Sequence, residues 1–193
     1  LVADKLFSSA NNIIGAKGPM FSSVRYGNVI NSRGSVIPFF LEKINNKEKI
    51  LPITHPDMTR FFLTLEDGVQ FVINSIERMQ GGEIFIPKCV SLKIVDLAKA
   101  LKNDVSFKFI GLRPGEKLHE VLCPKDDSLK TIEFPKFFII KPTINFGGKR
   151  DFKILPTKET GKNVIEGFEY NSLNNKNKIF DSKIKALLKK SNF

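Results

Sequence analysis

The chain has 193 residues, of which 41% are hydrophobic and 26% charged, so it can form one domain with a good core or half of a larger enzyme. Its net charge of +11 is mostly lysine, dense only near the C-terminus (Lys176, Lys178, Lys183, Lys185, Lys189, Lys190). No helix-turn-helix, zinc-finger or ribonucleoprotein signature accompanies it, so the lysines read as a solvated surface and no nucleic-acid partner is expected. No apolar run approaches the roughly 18 residues of a membrane span, and no secretory signature opens the chain, which argues against a membrane partner and for a cytoplasmic protein.

Leu1-Val2-Ala3-Asp4-Lys5 starts abruptly, without an initiator methionine, and reads as the start of a fragment. Val2 to Asn12 has the apolar spacing of an amphipathic helix (Val2, Ala3, Leu6, Phe7, Ala10), ended by Gly15 and Gly18-Pro19. Phe21 to Tyr26 reads as a strand that runs into a loop rich in glycine, asparagine and serine, Gly27 to Ser35. Loops after strand ends are common places for sites. Asn28 there could donate its amide to a phosphate or stabilise the turn. Val36 to Asn46 is a second amphipathic helix, with Pro38 tolerated in its first turn.

Ile50 to Ile53 is a short strand, and Met58 to Leu63 a longer one in which Arg60 is the single charge among apolar residues. A buried arginine requires a partner, either an acidic ligand or an internal carboxylate. Thr64 caps a largely buried helix that reaches Met79, with Glu66 and Asp67 in its first turn. A strand follows at Glu83 to Ile86. Ser91 is expected to cap a helix carrying Ile94, Val95, Leu97, Ala98 and Leu101 on its inner face.

Ser106 to Ile110 alternates as a strand, and Glu116 to Leu122 has helical spacing. Between them, Pro114 and Gly115 make a stiff turn that would place Arg113 and Glu116 in one crevice. A guanidinium there suits a phosphate and a carboxylate suits ribose hydroxyls. A strand-turn-helix corner with a surface ion pair accounts for the same residues. Phe137 to Ile140 is a fully apolar strand, order weakens from residue 143, and a basic helix closes the chain near Lys183 to Lys190. Alternating helices and strands argue an α/β architecture, parallel early and less regular late.

Some chemistry is absent from the sequence. Gly27 to Gly34 lacks the spacing of a dinucleotide loop, and neither Tyr26 nor Tyr170 is followed four places on by lysine. Cys89 and Cys123 have no metal-ligand spacing and read as reduced, buried thiols, and no metal site is expected. His55 and His119 read as structural. No catalytic residue is assigned within the chain.

Arg25-Tyr26-Gly27-Asn28-Val29, Ser32-Arg33-Gly34-Ser35-Val36-Ile37-Pro38-Phe39-Phe40, Met58-Thr59-Arg60-Phe61-Phe62, Gly82-Glu83-Ile84-Phe85-Ile86-Pro87-Lys88 and Arg113-Pro114-Gly115-Glu116-Lys117-Leu118-His119-Glu120 occur in that order. Together with Phe168-Glu169-Tyr170-Asn171-Ser172 they resemble the inverting UDP-N-acetylglucosamine 4,6-dehydratases, which are extended short-chain dehydrogenase/reductases of bacterial surface-sugar biosynthesis. The resemblance implies the C-terminal part of a Rossmann-type fold: parallel sheet strands plus a smaller α/β substrate-binding domain. It implies residues 1–35 as the remainder of a dinucleotide-binding domain, 36–142 as the substrate-binding part with strands interleaving both domains, and 143–193 as a C-terminal extension. The family's Tyr-x-x-x-Lys would end immediately before Leu1.

By position, the resemblance places Tyr26, Gly27 and Asn28 by the nicotinamide end of NADP, with Asn28 also on the substrate diphosphate. Val36, Ile37, Pro38, Phe39 and Phe40 would line the uridine and sugar pocket, Arg60 and Arg113 would clamp the phosphates, and Glu116 would bind ribose. Tyr170 and Asn174 would close over the nucleotide. The implied ligands are NADP and a UDP-sugar, and the implied assembly is a homo-oligomer. A related nucleotide-sugar 4-epimerase, or a non-catalytic module binding polyanions, are the competing readings.

Overall fold

The computed structural model describes residues 2–14, 18–143 and 150–190. These fall into two units built from interleaved segments, Leu1–Tyr26, Val69–Lys88 and Leu122–Tyr170 in the first, Gly27–Gly68, Cys89–Val121 and Asn171–Phe193 in the second. The sequence expectation sets its bounds at residues 35 and 142, with strands of the middle part interleaving both domains.

The first unit contains a five-stranded sheet. Ser23–Val24 pairs in parallel with Ile84–Pro87, which pairs antiparallel with Phe137–Ile140; Thr131–Glu133 and Lys162–Asn163 follow, both antiparallel. Ile84–Pro87 and Phe137–Ile140 are buried at every position, which explains why both read as continuous apolar runs. Phe134 stacks on Phe137 with centroids 4.6 Å apart and planes 6° from parallel, and Phe71 meets Phe137 edge-on. Arg78 lies 4.7 Å above the same ring and is held by two hydrogen bonds to Glu159, at 2.6 and 2.9 Å.

In the second unit, Asn28–Val29 pairs in parallel with Thr59–Leu63, which pairs antiparallel with Val90–Lys93. Ile50–Ile53 and Ser106–Phe109 form a separate parallel pair. The helices Val36–Asn45, Ile94–Leu101 and Asp181–Lys190 close an aliphatic core of Ile30, Ile37, Leu51, Ile53, Leu92, Leu97, Ile184 and Leu188 with Phe40 and Met58. The fold class is α/β with parallel strand pairs, as the sequence predicts.

Three expectations need correction. The helix Leu65–Arg78 is capped by Thr64, whose hydroxyl accepts the Asp67 N–H at 3.0 Å, but Val69, Val72, Ile73 and Ile76 are exposed and only Phe71 among its large apolar residues packs on the first unit's core. Ser91 lies within a strand and caps nothing, because residues 90–93 complete the ladder of Thr59–Leu63; the next helix begins at Ile94. No helix forms at 116–122. The backbone there is claimed by distant partners: the Leu118 carbonyl accepts Thr59 N–H, and Glu120 N–H donates to Ser172 Oγ. Between residues 150 and 180 regular structure is limited to the two-residue strands Lys162–Asn163 and Tyr170–Asn171, in line with the weaker late pattern of the sequence, and Tyr170 is buried with its ring centroid 5.0 Å from that of Phe138. Cys89 and Cys123 are buried, as expected, and are thiols rather than halves of a disulfide.

Candidate functional site

The second unit encloses a cavity of about 410 Å³. Asn28 enters from the strand paired with Phe62 and Leu63, and Arg60 from the middle of Thr59–Leu63. The first turn of the helix Val36–Asn45 contributes Ser35, Val36, Phe39 and Phe40, and the turn after Ser106–Phe109 contributes Ile110, Arg113 and Glu116. Gly34, Pro52, Ile53, Thr54, Met58 and Ile94 complete the wall. Apolar walls with a few converging polar groups are the usual make-up of a small-molecule site.

The Arg113 turn is stiff for the reasons its sequence indicates. Glu116 N–H donates to the Arg113 carbonyl at 3.0 Å, which closes a four-residue turn around Pro114 and Gly115. Gly115 has φ +78°, a value favoured by glycine at the third turn position. Glu116 reinforces the turn by accepting Arg113 N–H at 3.2 Å.

Arg60 is anchored. Its Nη1 donates to the carbonyls of Thr59 (2.8 Å) and Leu118 (3.1 Å), and its Nη2 lies 3.5 Å from Glu116 Oε1. The internal carboxylate that an arginine in an apolar strand requires is therefore Glu116. For the Arg113 guanidinium no hydrogen bond or ion pair is found among the described residues, and it is exposed. The cavity thus presents one cation set in place by backbone carbonyls and one available to an anionic ligand.

Of the residues picked from the sequence, Asn28, Val36, Phe39, Phe40, Arg60, Arg113 and Glu116 line this cavity together. Ile37 points into the core and Pro38 is not on the wall. Gly27 is packed so closely that a Cβ would lie 2.4 Å from Phe61 Cβ, and its N–H donates to Cys89. Tyr26 and Tyr170 belong to the first unit. Asn174 is exposed, its N–H held by Asn171 Oδ1 at 2.8 Å. The sequence reading missed Gly34, Ser35, Pro52, Ile53, Thr54, Met58, Ile94 and Ile110. Ser35 has a weak local signal, sitting before a helical apolar run, but Ile94 and Ile110 reach the wall through tertiary packing that no local pattern reveals.

His119 caps no helix. Its Nδ1 lies 2.8 Å from Thr59 Oγ1, and burial, with Lys178 and Arg60 nearby, pushes its pKa down. Burial also pushes the Cys89 thiol up to about 11, which leaves it protonated and unreactive.

The family described as polysaccharide biosynthesis protein matches residues 1–142. The chain is 54% identical to a UDP-N-acetylglucosamine 4,6-dehydratase (inverting) of Campylobacter jejuni serotype O:2, over 91% of this chain and 53% of that protein. It is 42% identical to a UDP-glucose 4-epimerase of Rickettsia conorii, over 60% of this chain and 35% of that protein. The X-ray structure of Pen from Bacillus thuringiensis superposes with a TM-score of 0.81 at 31% identity, over 98% of this chain and 55% of that one. The chain spans about half the length of the curated relatives it matches most extensively. Its fold is a Rossmann-like fold of the short-chain dehydrogenase/reductase type. On the match over residues 1–142, the chain belongs to the polysaccharide biosynthesis protein family.

Proposed function

We propose that this chain is the substrate-binding portion of an NADP-dependent UDP-N-acetylglucosamine 4,6-dehydratase that inverts C5 and makes a UDP-4-keto-6-deoxy-hexosamine for surface glycan or flagellin glycosylation. The observation that carries the reading is the convergence of Asn28, Arg60, Arg113 and Glu116 on one cavity walled by Val36, Phe39 and Phe40. Two guanidinium groups suit a diphosphate, the Glu116 carboxylate suits ribose hydroxyls, and the apolar wall suits a uracil ring. The identity to the dehydratase of Campylobacter jejuni supports the same choice.

The residues present do not make a dinucleotide site by themselves. The Gly27 N–H is taken by Cys89 and its Cα is covered by Phe61, which leaves Tyr26 and Asn28 as the only side chains of the three to offer contacts. NADP is therefore assigned to the longer form of the protein, where it would supply the hydride chemistry. The chain itself would bind and orient the sugar nucleotide. A cytoplasmic, homo-oligomeric enzyme is part of this reading. Among the described residues no helix is long and apolar enough to cross a membrane.

The first test is calorimetry with UDP. The 193-residue chain is expected to bind it, and Arg113→Ala to weaken binding at least tenfold, since a charge-assisted pair contributes about 1.5–3 kcal/mol; unchanged affinity in that variant would sink the assignment. A related 4-epimerase is the second reading, favoured by the Rickettsia conorii relative. Product mass in the longer protein separates the two, because only dehydration removes water.

A further inference from the structure

A buried relay of side chains runs behind the cavity. Thr59 and Ser172 are fully enclosed, and both hydroxyls are engaged. Thr59 Oγ1 lies 2.8 Å from His119 Nδ1 and 2.6 Å from Ser172 Oγ. Ser172 Oγ also lies 3.1 Å from the Thr59 carbonyl and accepts Glu120 N–H at 2.9 Å. Each hydroxyl carries a single proton, and one assignment satisfies all four contacts. Ser172 donates to the Thr59 carbonyl and accepts from both Glu120 N–H and the Thr59 hydroxyl. Thr59 Oγ1, its proton committed to Ser172, accepts from His119, so the imidazole carries its proton on Nδ1.

This wiring converges on Arg60. The Thr59 carbonyl that takes the Ser172 proton also accepts Arg60 Nη1 at 2.8 Å, and the Leu118 carbonyl, next to His119, accepts both Arg60 Nη1 and Thr59 N–H. Ser172 N–H in turn donates to the Glu120 carbonyl at 2.8 Å, and Glu120 Oε2 accepts Phe61 N–H. The two residues that flank Arg60 in its strand are thus both tied to this network.

We infer that Ser172, Thr59 and His119 are positioning residues that fix Arg60 in the cavity, with His119 held as the Nδ1–H tautomer. The inference rests on the reading of the cavity as a nucleotide site. Ser91 provides a matched control: it is equally enclosed, on the neighbouring strand, and its Oγ has no hydrogen-bond partner among the described residues.

The test has two arms on the 193-residue chain. Nitrogen-15 spectra of the imidazoles, with His119→Asn to assign the two histidines, should show His119 protonated at Nδ1 and bare at Nε2 when neutral. In calorimetry with UDP, Thr59→Val and Ser172→Ala should each weaken binding about threefold to tenfold, the range of one ordinary hydrogen bond. Thr59→Ser should restore it to within about twofold, and Ser91→Ala should leave it unchanged. An Nε2–H tautomer in the wild type overturns the wiring, because Nδ1 would then be accepting from Thr59. UDP binding in Ser172→Ala equal to wild type overturns the positioning role. If Thr59→Val fails to fold, the tautomer and Ser172→Ala decide. Failure of the wild type to bind UDP overturns the nucleotide reading and the role at Arg60 with it, and the spectra then show whether the wiring exists for folding alone.

Discussion

Each of the two units holds a cavity of similar size, and they differ in what their charges are doing. The first unit's cavity, about 350 Å³, is bordered by Asp4, Arg25, Asp127 and Lys130. Its arginine is engaged, with Arg25 Nε 2.7 Å from Asp4 and Nη1 donating to the Leu122 carbonyl, and Lys130 donates to Thr143. In the second unit, the cavity of about 410 Å³ has an arginine, Arg113, with no partner among the described residues. Size does not separate a site from a crevice here. What sets the second apart is an arginine held by backbone carbonyls and Glu116 beside an exposed arginine, a pair suited to a diphosphate.

The cores differ in the same direction. Rings close the first unit, where Phe71, Phe85 and Phe134 surround Phe137. Aliphatic chains frame the second and leave an opening. Phe137→Ala should therefore be the most damaging change, costing about 3–5 kcal/mol. Hydrogen exchange should show that loss first in the strands around residues 84–87 and 137–140. Equal acceleration in residues 50–53 would mean that the two units do not open separately.

Gly27→Ala is the converse probe. Its methyl would sit 2.4 Å from Phe61 Cβ and 2.6 Å from the Phe61 carbonyl, so backbone has to move. A loss of about 1–3 kcal/mol in a urea melt is expected, with exchange rising first along residues 59–63.

A smaller effect sharpens the electrostatic side. Glu83 is buried in the first unit, accepting Gln80 N–H and the Ser22 hydroxyl, and burial raises its pKa. A raised folded-state pKa means that the folded protein binds this proton more tightly than the unfolded chain does. The contribution to stability is complete below the unfolded pKa and is lost as pH rises through the folded one. Glu83→Gln keeps both partners, so it should shift stability by no more than about 1 kcal/mol while flattening that slope, measured as melting temperature against pH. Smallest of all, neither Cys89 nor Cys123 should react with a thiol reagent in the native protein, since burial raises both pKa values.

Periodicity was enough to locate the helix Val36–Asn45 and the strands at 50–53 and 137–140, because each buries a face or a run that its own residues define. The Arg113 turn was legible from Pro114 and Gly115. Residues 116–122 have helical spacing and form no helix, because Thr59 and Ser172 take the backbone groups that a helix would have used. Ser91 read as a cap because the partner that makes it a strand residue, Phe61, is thirty positions away. The late segment has little periodicity to read because asparagines rather than an apolar face set its turns: Asn171 Oδ1 accepts the N–H groups of Leu173 and Asn174, and Asn175 donates to the Cys89 carbonyl. Of the site, the charged members could be read from the sequence because charge in an apolar strand or a stiff turn is conspicuous. Of its apolar wall, Val36, Phe39 and Phe40 came with the family resemblance, whereas Ile94 and Ile110 look like any core residue and carried no signal.

The anchoring of Arg60 has a consequence for recognition. A long cationic side chain loses rotamer freedom when a ligand immobilises it, at about 0.5–1.5 kcal/mol for each such chain. Arg60 has already lost that freedom to two carbonyls and a carboxylate, so the loss was incurred during folding. Arg113 still has it to lose. The two arginines of one cavity would then meet the same anion with different thermodynamic signatures: the preorganised one contributes with little entropic penalty, and the mobile one contributes enthalpy offset by its own ordering.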